Sequence, residues 1–200
     1  MLTKKQRYLK RTFDVVISLC GILATFWLMA IAWVVATLET RSNGLFMQKR
    51  IGEGGKPFWV YKIKTMRPNS EKEGSVTTSS DRRITKSGAF LRRWKIDELP
   101  QLFNVLFGTM SLVGPRPDVE GFADRLTGED RVILSTPPGI TGPASLKYHN
   151  EEYLLAQQSD PYEYNQEVIW PDKVRINKAY LLEWSLKKDI GYILATLKGA

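Results

Sequence analysis

The residues best suited to chemistry lie in one run, Arg92-Arg93-Trp94-Lys95-Ile96-Asp97-Glu98-Leu99-Pro100-Gln101. The turn Gly114-Pro115-Arg116-Pro117 follows shortly after. Two adjacent carboxylates can hold a divalent metal, and one of them can attack a phosphorus atom while the metal offsets the charge. Arginine guanidinium groups match phosphate oxygens in planar geometry, and proline on both sides of Arg116 stiffens the turn that carries it. A plainer reading stands beside this one. Asp97 is a good N-cap for a helix running to Phe107, Glu98 suits the helix dipole, and Pro100 is tolerated in the first turn. The same helix start would attract phosphate through its free amides. Arg116 taken alone also reads as a surface turn residue.

The elements that must position these residues follow from pattern. Leu45 to Arg50 and Phe58 to Lys64 alternate and are rich in aromatics, and Gly52-Glu53-Gly54-Gly55 separates them, so a β-hairpin is expected. The polar stretch 68–83 reads as a loop. Ser87 to Trp94 and Asp97 to Phe107 read as short helices, the second stopped by Gly108. Met110 to Val113 is expected as a strand leading into the Gly-Pro-Arg-Pro turn. Val119 to Arg125 reads as helical and Thr136 to Gly142 as a Pro/Gly loop. Lys173 to Leu197 forms one or two amphipathic helices that lie on a membrane or pack on the domain's own core.

Ahead of all this, Val15 to Leu38 carries no charge. Its 24 residues would reach roughly 36 Å as a helix, against a hydrocarbon core of ~30 Å. The run is apolar on every face, unlike an ordinary amphipathic helix. It is also longer than a signal peptide's apolar stretch and ends in no small-residue cleavage site. Lys4, Lys5, Arg7, Lys10 and Arg11 precede it; Arg41, Lys49, Arg50, Lys56, Lys62 and Lys64 follow. Positive flanks on both sides favour a helix that enters and leaves the membrane on its cytoplasmic face. Asp14 and Glu39 would mark where the run leaves the interface.

Composition narrows the class. The 200 residues suit about one domain, the net charge is +8, and a single cysteine excludes a disulfide-stapled module. The positive charge points to an anionic partner. It lies largely beside the apolar run and matches no nucleic-acid-reading motif, so no nucleic acid is expected as partner.

Several blocks together carry a family resemblance: Lys10-Arg11-Thr12-Phe13-Asp14, Gln48-Lys49-Arg50-Ile51-Gly52, Tyr61 to Met66, Asp97 to Asn104, Gly114 to Pro117, and Pro138-Gly139-Ile140-Thr141-Gly142. The chain resembles, over essentially its whole length, the bacterial sugar transferases, specifically the monotopic phosphoglycosyl transferases that consist of the catalytic unit alone. The resemblance implies a mixed α/β, mostly helical fold forming a single catalytic unit over residues 1–200. It would have a membrane-inserted, re-entrant helix over 13–38 and a compact cytoplasmic part over 45–200 with a small β-hairpin and interfacial amphipathic helices. It implies transfer of a sugar-1-phosphate from a UDP-sugar to undecaprenyl phosphate with release of UMP, at the cytoplasmic face of the bacterial inner membrane, as a membrane step in making a glycoconjugate. Mg2+ is the implied cofactor; membrane phospholipids are expected partners from the apolar run itself, and the aromatic-rich amphipathic C-terminal end could serve a homodimer. Residue by residue, Asp97 becomes the nucleophile and a metal contact, and Glu98 assists the metal or the proton traffic. Arg92 and Arg116 become phosphate contacts, with Lys62 and Lys64 as competing further ones. Two departures stand out. The apolar run lacks the Ser-Pro pair that usually breaks this helix. Pro137 also stands where an arginine often precedes the Pro-Gly-Ile-Thr-Gly loop, which leaves Lys147 or His149 to replace it. An inactive membrane-anchored scaffold of the same fold is the competing function.

Overall fold

The computed structural model describes residues 2–67 and 83–199, so the expected loop over 68–83 falls, but for Arg83, outside the described residues. A capping box opens the first helix, α1 (Lys4–Thr40): the Thr3 hydroxyl accepts from the Gln6 amide, and the Gln6 side chain accepts from the Thr3 amide. This cap sets the helix start ahead of the expected 13–38 segment. Its 37 residues amount to a rod of ~55 Å.

One stripe of α1 is buried along the whole length, through Lys10, Asp14, Ser18, Ile22, Met29, Ala32, Ala36 and Thr40. The other faces carry exposed Leu23, Phe26, Trp27, Ile31 and Leu38. Only 22% of the most apolar window is buried, which excludes a helix hidden in a soluble core. Both ends are tied to the same body. Near the start, Arg7 pairs with Glu53 and donates to the Ser135 carbonyl, and Arg11 donates to the carbonyls of Val105 and Leu106. Near the end, Glu39 accepts from the Lys86 amide and from Ser87.

Asp14 does not mark an interface. It is buried and accepts from the Leu112 amide at 3.1 Å, because a carboxylate there satisfies a strand amide that has no ladder partner. Beside it, Lys10 Nζ meets Asp189 Oδ2 at 2.7 Å, and Tyr180 Oη and Trp184 Nε1 also donate to Asp189. The two charged side chains are 6% and 0% exposed, so each relies on the other. Lys10→Met should therefore cost about 3–5 kcal/mol, the usual penalty of leaving one buried charge unpaired. Removing both charges in Lys10→Met/Asp189→Leu should cost clearly less than the two single losses summed. Denaturant midpoints of the three variants check this, and simple additivity would contradict it.

The hairpin forms as expected: β1 (Leu45–Ile51) pairs antiparallel with β2 (Pro57–Ile63), Leu45 opposite Ile63 and Ile51 opposite Pro57. Its turn uses Gly54 and Gly55 at positive φ, where other residues are strained. Helix α2 (Lys86–Arg93) is capped by Thr85. The following helix is shorter than expected. Asp97 lies in a 3-10 turn, Ile96–Glu98, and helix α3 (Gln101–Phe107) starts only after Pro100. Val119 to Arg125 likewise supplies only the turn Ala123–Arg125.

The Pro/Gly stretch contains a strand. β4 (Gly139–Thr141) pairs in parallel with β3 (Ser111–Val113), Ser111 opposite Gly139 and Val113 opposite Thr141. A Cβ on Gly139 would overlap the Gly114 amide nitrogen and one on Gly142 the Gly114 carbonyl, so glycine is what lets these segments touch. Three short helices unforeseen in the sequence follow, α4 (Pro143–Lys147), α5 (Glu151–Ala156) and α6 (Pro161–Tyr164). The last two helices are α7 (Trp170–Leu182) and α8 (Leu186–Leu197). Val174, Tyr180, Leu181 and Trp184 enter the main core with Val105, Met110 and Val113, whereas Leu182, Ile190, Leu194 and Leu197 stay exposed. The C-terminal segment thus packs on the domain and keeps an apolar outer edge.

Candidate active site

Lys95, with φ 55, ends α2 in the left-handed region and throws the chain into the Ile96–Glu98 turn. The Glu98 and Leu99 amides are consumed inside that turn by Lys95 and Ile96 carbonyls. Asp97 caps no helix: it is 7% exposed, and its Oδ1 is buried without a hydrogen-bond partner. Burial, and secondly the charge of Glu98, push the Asp97 carboxyl up to about 6, against the opposing pull of Lys62, Arg92 and Lys95. An unpartnered buried carboxylate oxygen of this kind costs stability and is ready for a ligand.

Glu98 has the opposite environment. Lys62 Nζ lies 2.9 Å and Arg116 Nη2 3.3 Å from its Oε1. Burial alone would raise Glu98, but Arg116 and Lys62 outweigh it and hold this carboxyl well below the usual range. Glu98 in turn raises Arg116. Two neighbouring carboxylates are thereby pushed in opposite directions, one poised near neutrality and one permanently charged.

Each partner arrives on a fixed element. Lys62 projects from β2, which Asn104 of α3 clamps by accepting from the Tyr61 amide at 3.0 Å and donating to the Trp59 carbonyl at 2.7 Å. Arg116 sits beyond β3, where the Gly139 amide donates to the Pro115 carbonyl at 2.8 Å. Arg92 acts on Asp97 by its charge while its Nε donates to Thr65 Oγ1 at 3.0 Å.

The structure therefore brings Asp97, Glu98, Lys62, Arg92 and Arg116 together. Lys64 is left out: β2 ends at Ile63, and the Lys64 ammonium turns to Ser42 Oγ at 3.0 Å. Lys147 is bound to Asp172 at 2.6 Å, and His149 is exposed with Nδ1 3.1 Å from the Leu146 carbonyl, so neither is drawn toward Asp97. Four residues that the sequence did not mark as site residues border the site. Asp118 is pushed up to about 6 by burial, against Lys173, Arg50 and Arg116, and Glu151 holds Lys173 at 2.6 Å while its charge reaches Arg116. Asp118 directly follows the Pro-Arg-Pro turn and Arg50 lies in the Gln48 to Gly52 block, which are the signals that could have found them.

The chemistry of the donor set fits a hard divalent cation. Among the described residues no group of three or more Asp, Glu, His or Cys surrounds a common point. Mg2+ needs no such cage, since it is commonly held by one or two carboxylates with substrate phosphates and water completing the shell. The orphaned Asp97 oxygen beside Glu98 offers that kind of partial site. Lys62, Arg92 and Arg116 around it favour a polyanionic ligand such as a diphosphate.

Comparison with known proteins identifies the family to which this chain is similar. The family model described as bacterial sugar transferase matches residues 5–200. A Bacillus subtilis protein is 43% identical over 129 residues, 63% of this chain and 72% of its own length; its name assigns it provisionally as an undecaprenyl-phosphate N-acetylgalactosaminyl 1-phosphate transferase. The undecaprenyl-phosphate galactose phosphotransferase of Salmonella typhimurium is 32% identical over 98% of this chain and 41% of its own. A sugar transferase of Bacillus subtilis called EpsL is 32% identical over 95% of this chain and 86% of its own. The chain thus spans less than half of the Salmonella relative and most of the two Bacillus ones.

Proposed function

Because the chain belongs to the bacterial sugar transferase family, we propose that it is a phosphoglycosyl transferase moving a sugar-1-phosphate from a UDP-sugar to undecaprenyl phosphate. The observation that carries this is the pairing of a buried carboxylate whose oxygen lacks a partner, Asp97, with a neighbour, Glu98, that tethers Lys62 and Arg116. The names of two of these relatives print the undecaprenyl-phosphate acceptor and the transferred sugar phosphate, and the UDP-sugar donor follows from the family resemblance.

In the first step a carboxylate oxygen of Asp97 attacks the β-phosphorus of the donor. The bond from that phosphorus to the bridging oxygen breaks, and UMP leaves with the oxygen and its electron pair. In the second step a phosphate oxygen of the lipid attacks the same phosphorus, displacing Asp97 and forming the lipid diphosphate-sugar. Splitting the transfer in this way means that the two anionic substrates never have to meet in one step. Lys62, Arg92 and Arg116 neutralise the diphosphate and the developing charge. Mg2+, held by Asp97 and Glu98, would supply Lewis-acid charge neutralisation at the phosphoryl oxygens.

The helix α1 supports insertion from a single membrane face. A single crossing would place the Lys10–Asp189 pair and the Glu39–Ser87 contact on opposite sides of the bilayer, yet both join α1 to one body. Its exposed aromatic and aliphatic faces meet lipid, and its basic flanks face the cytoplasm, where UDP-sugars are found.

The reaction class is tested by incubating the full chain in detergent or lipid particles with undecaprenyl phosphate and a panel of UDP-sugars. The expected nucleotide product is UMP, with the donor's β-phosphate recovered in the lipid fraction. Release of UDP would show plain glycosyl transfer and contradict the proposal.

A further inference from the structure

The two prolines around Arg116 have no N–H, so the only hydrogen bonds their peptide units can offer are through their carbonyls. Both are used. The Pro115 carbonyl accepts from the backbone of β4 at Gly139, 2.8 Å away. The Pro117 carbonyl accepts instead from a side chain, Arg50 Nη1, at 3.3 Å. Arg50 is itself set in place by Gln48, two residues earlier on the same face of β1: Gln48 Oε1 accepts from Arg50 Nε at 3.1 Å and from Nη2 at 2.7 Å. The Ile51 amide adds a backbone bond to the Asp118 carbonyl at 2.9 Å, and Ile51 is buried in the main core.

We propose that Gln48 and Arg50 are positioning residues that brace the Pro-Arg-Pro turn and so fix the Arg116 guanidinium over the substrate diphosphate. The inference rests on the phosphate role given to Arg116 above. The placement is costly on its own: Arg50 is half-buried, and both desolvation and the neighbouring positive charge of Arg116 hold its guanidinium below its ordinary value. A structural brace between two loops would not need a second cation beside Arg116. A neutral donor would spare that repulsion, but it lacks the planar fork that engages one acceptor with two N–H groups and a second acceptor with a third. Lysine, a point charge, cannot do this either.

Steady-state kinetics of Arg50→Lys, Arg116→Ala and the double variant test the brace. Arg50→Lys should lower kcat about 10- to 100-fold, as small misplacements of a catalytic group do, with KM for the UDP-sugar changed less than about threefold. In the Arg116→Ala background, Arg50→Lys should change nothing further, because its effect runs through Arg116. Gln48→Met should act in the same direction more weakly, and Gln48→Glu, which keeps an acceptor, should stay near the parent rate. Gln48 is half-buried on the two-stranded hairpin, so these two milder variants stand in should Arg50→Lys fold poorly. An Arg50→Lys loss of equal size in both backgrounds, or unchanged kcat in Arg50→Lys and Gln48→Met, overturns the brace alone. A normal rate for Arg116→Ala overturns the phosphate role of Arg116 and the brace with it.

Discussion

Replacing Asp97 by asparagine should abolish transfer and at the same time make the protein more stable. The carboxyl is 7% exposed, with one oxygen unpartnered, and burial together with Glu98 raises it from 3.8 to about 6. A raised carboxyl favours the protonated form in the folded state, so ionisation opposes folding. The penalty is absent below the unfolded value near pH 4, grows as pH rises, and is complete above about pH 6. Asparagine carries no such charge. At pH 7 to 8 it should be more stable than the parent by about 1–3 kcal/mol, the order of a displacement of some two pH units, or several degrees in Tm. The advantage should disappear near pH 4. Thermal melts of both proteins across that range, beside UMP-release assays, check the two halves separately. An asparagine variant that is less stable at pH 8 would show that Asp97 has a stabilising role, such as a cap, which the geometry does not show.

Glu98→Gln should lower kcat/KM by about 10²- to 10³-fold, the usual loss when charged groups that stabilise a transition state lose their setting. Glu98 fixes Lys62 and Arg116 through one oxygen, and the neutral amide keeps an acceptor there but loses the charge that holds both. Lys62 and Arg116 are 24% and 50% exposed, so each can turn to water, and the stability loss should stay near 1 kcal/mol. The pH profile supplies a second readout. Because the Glu98 charge helps to raise Asp97, its removal makes Asp97 easier to ionise. The acid limb of kcat/KM, expected near pH 6 in the parent, should move to lower pH in the variant. A limb that moves upward would mean that Asp97 is not the group being titrated.

Much of this site could be read before any coordinates, because its core is contiguous. Asp97, Glu98 and Arg92 lie within seven positions, and the hairpin bearing Lys62 announces itself by alternation. The length and hydropathy of α1 were equally plain. What escaped depends on partners distant in sequence. Asp14 reads as a charge at the end of an apolar run, yet its partner, the Leu112 amide, is 98 positions away, and Lys10 meets Asp189 across 179. β4 was hidden by the very glycines it needs, since Gly and Pro argue locally against a strand, whereas close approach to Gly114 requires them. The Asp97 turn was misread as a helix start because Lys95 adopts a left-handed conformation that nothing in its residue type announces. α4, α5 and α6 are four to six residues long, too short for a hydrophobic period to show.

The account turns on a covalent bond to Asp97. The direct measurement is mass spectrometry of the intact chain and its peptides, quenched after incubation with UDP-sugar and Mg2+ in the absence of any lipid acceptor. One phosphosugar should be found on the peptide containing Asp97, with up to one equivalent of UMP released. The adduct should vanish on addition of undecaprenyl phosphate and should never form in Asp97→Asn. Release of UMP only when the lipid phosphate is present, with no adduct trapped at any time, would contradict the account and require both substrates to react together in one complex.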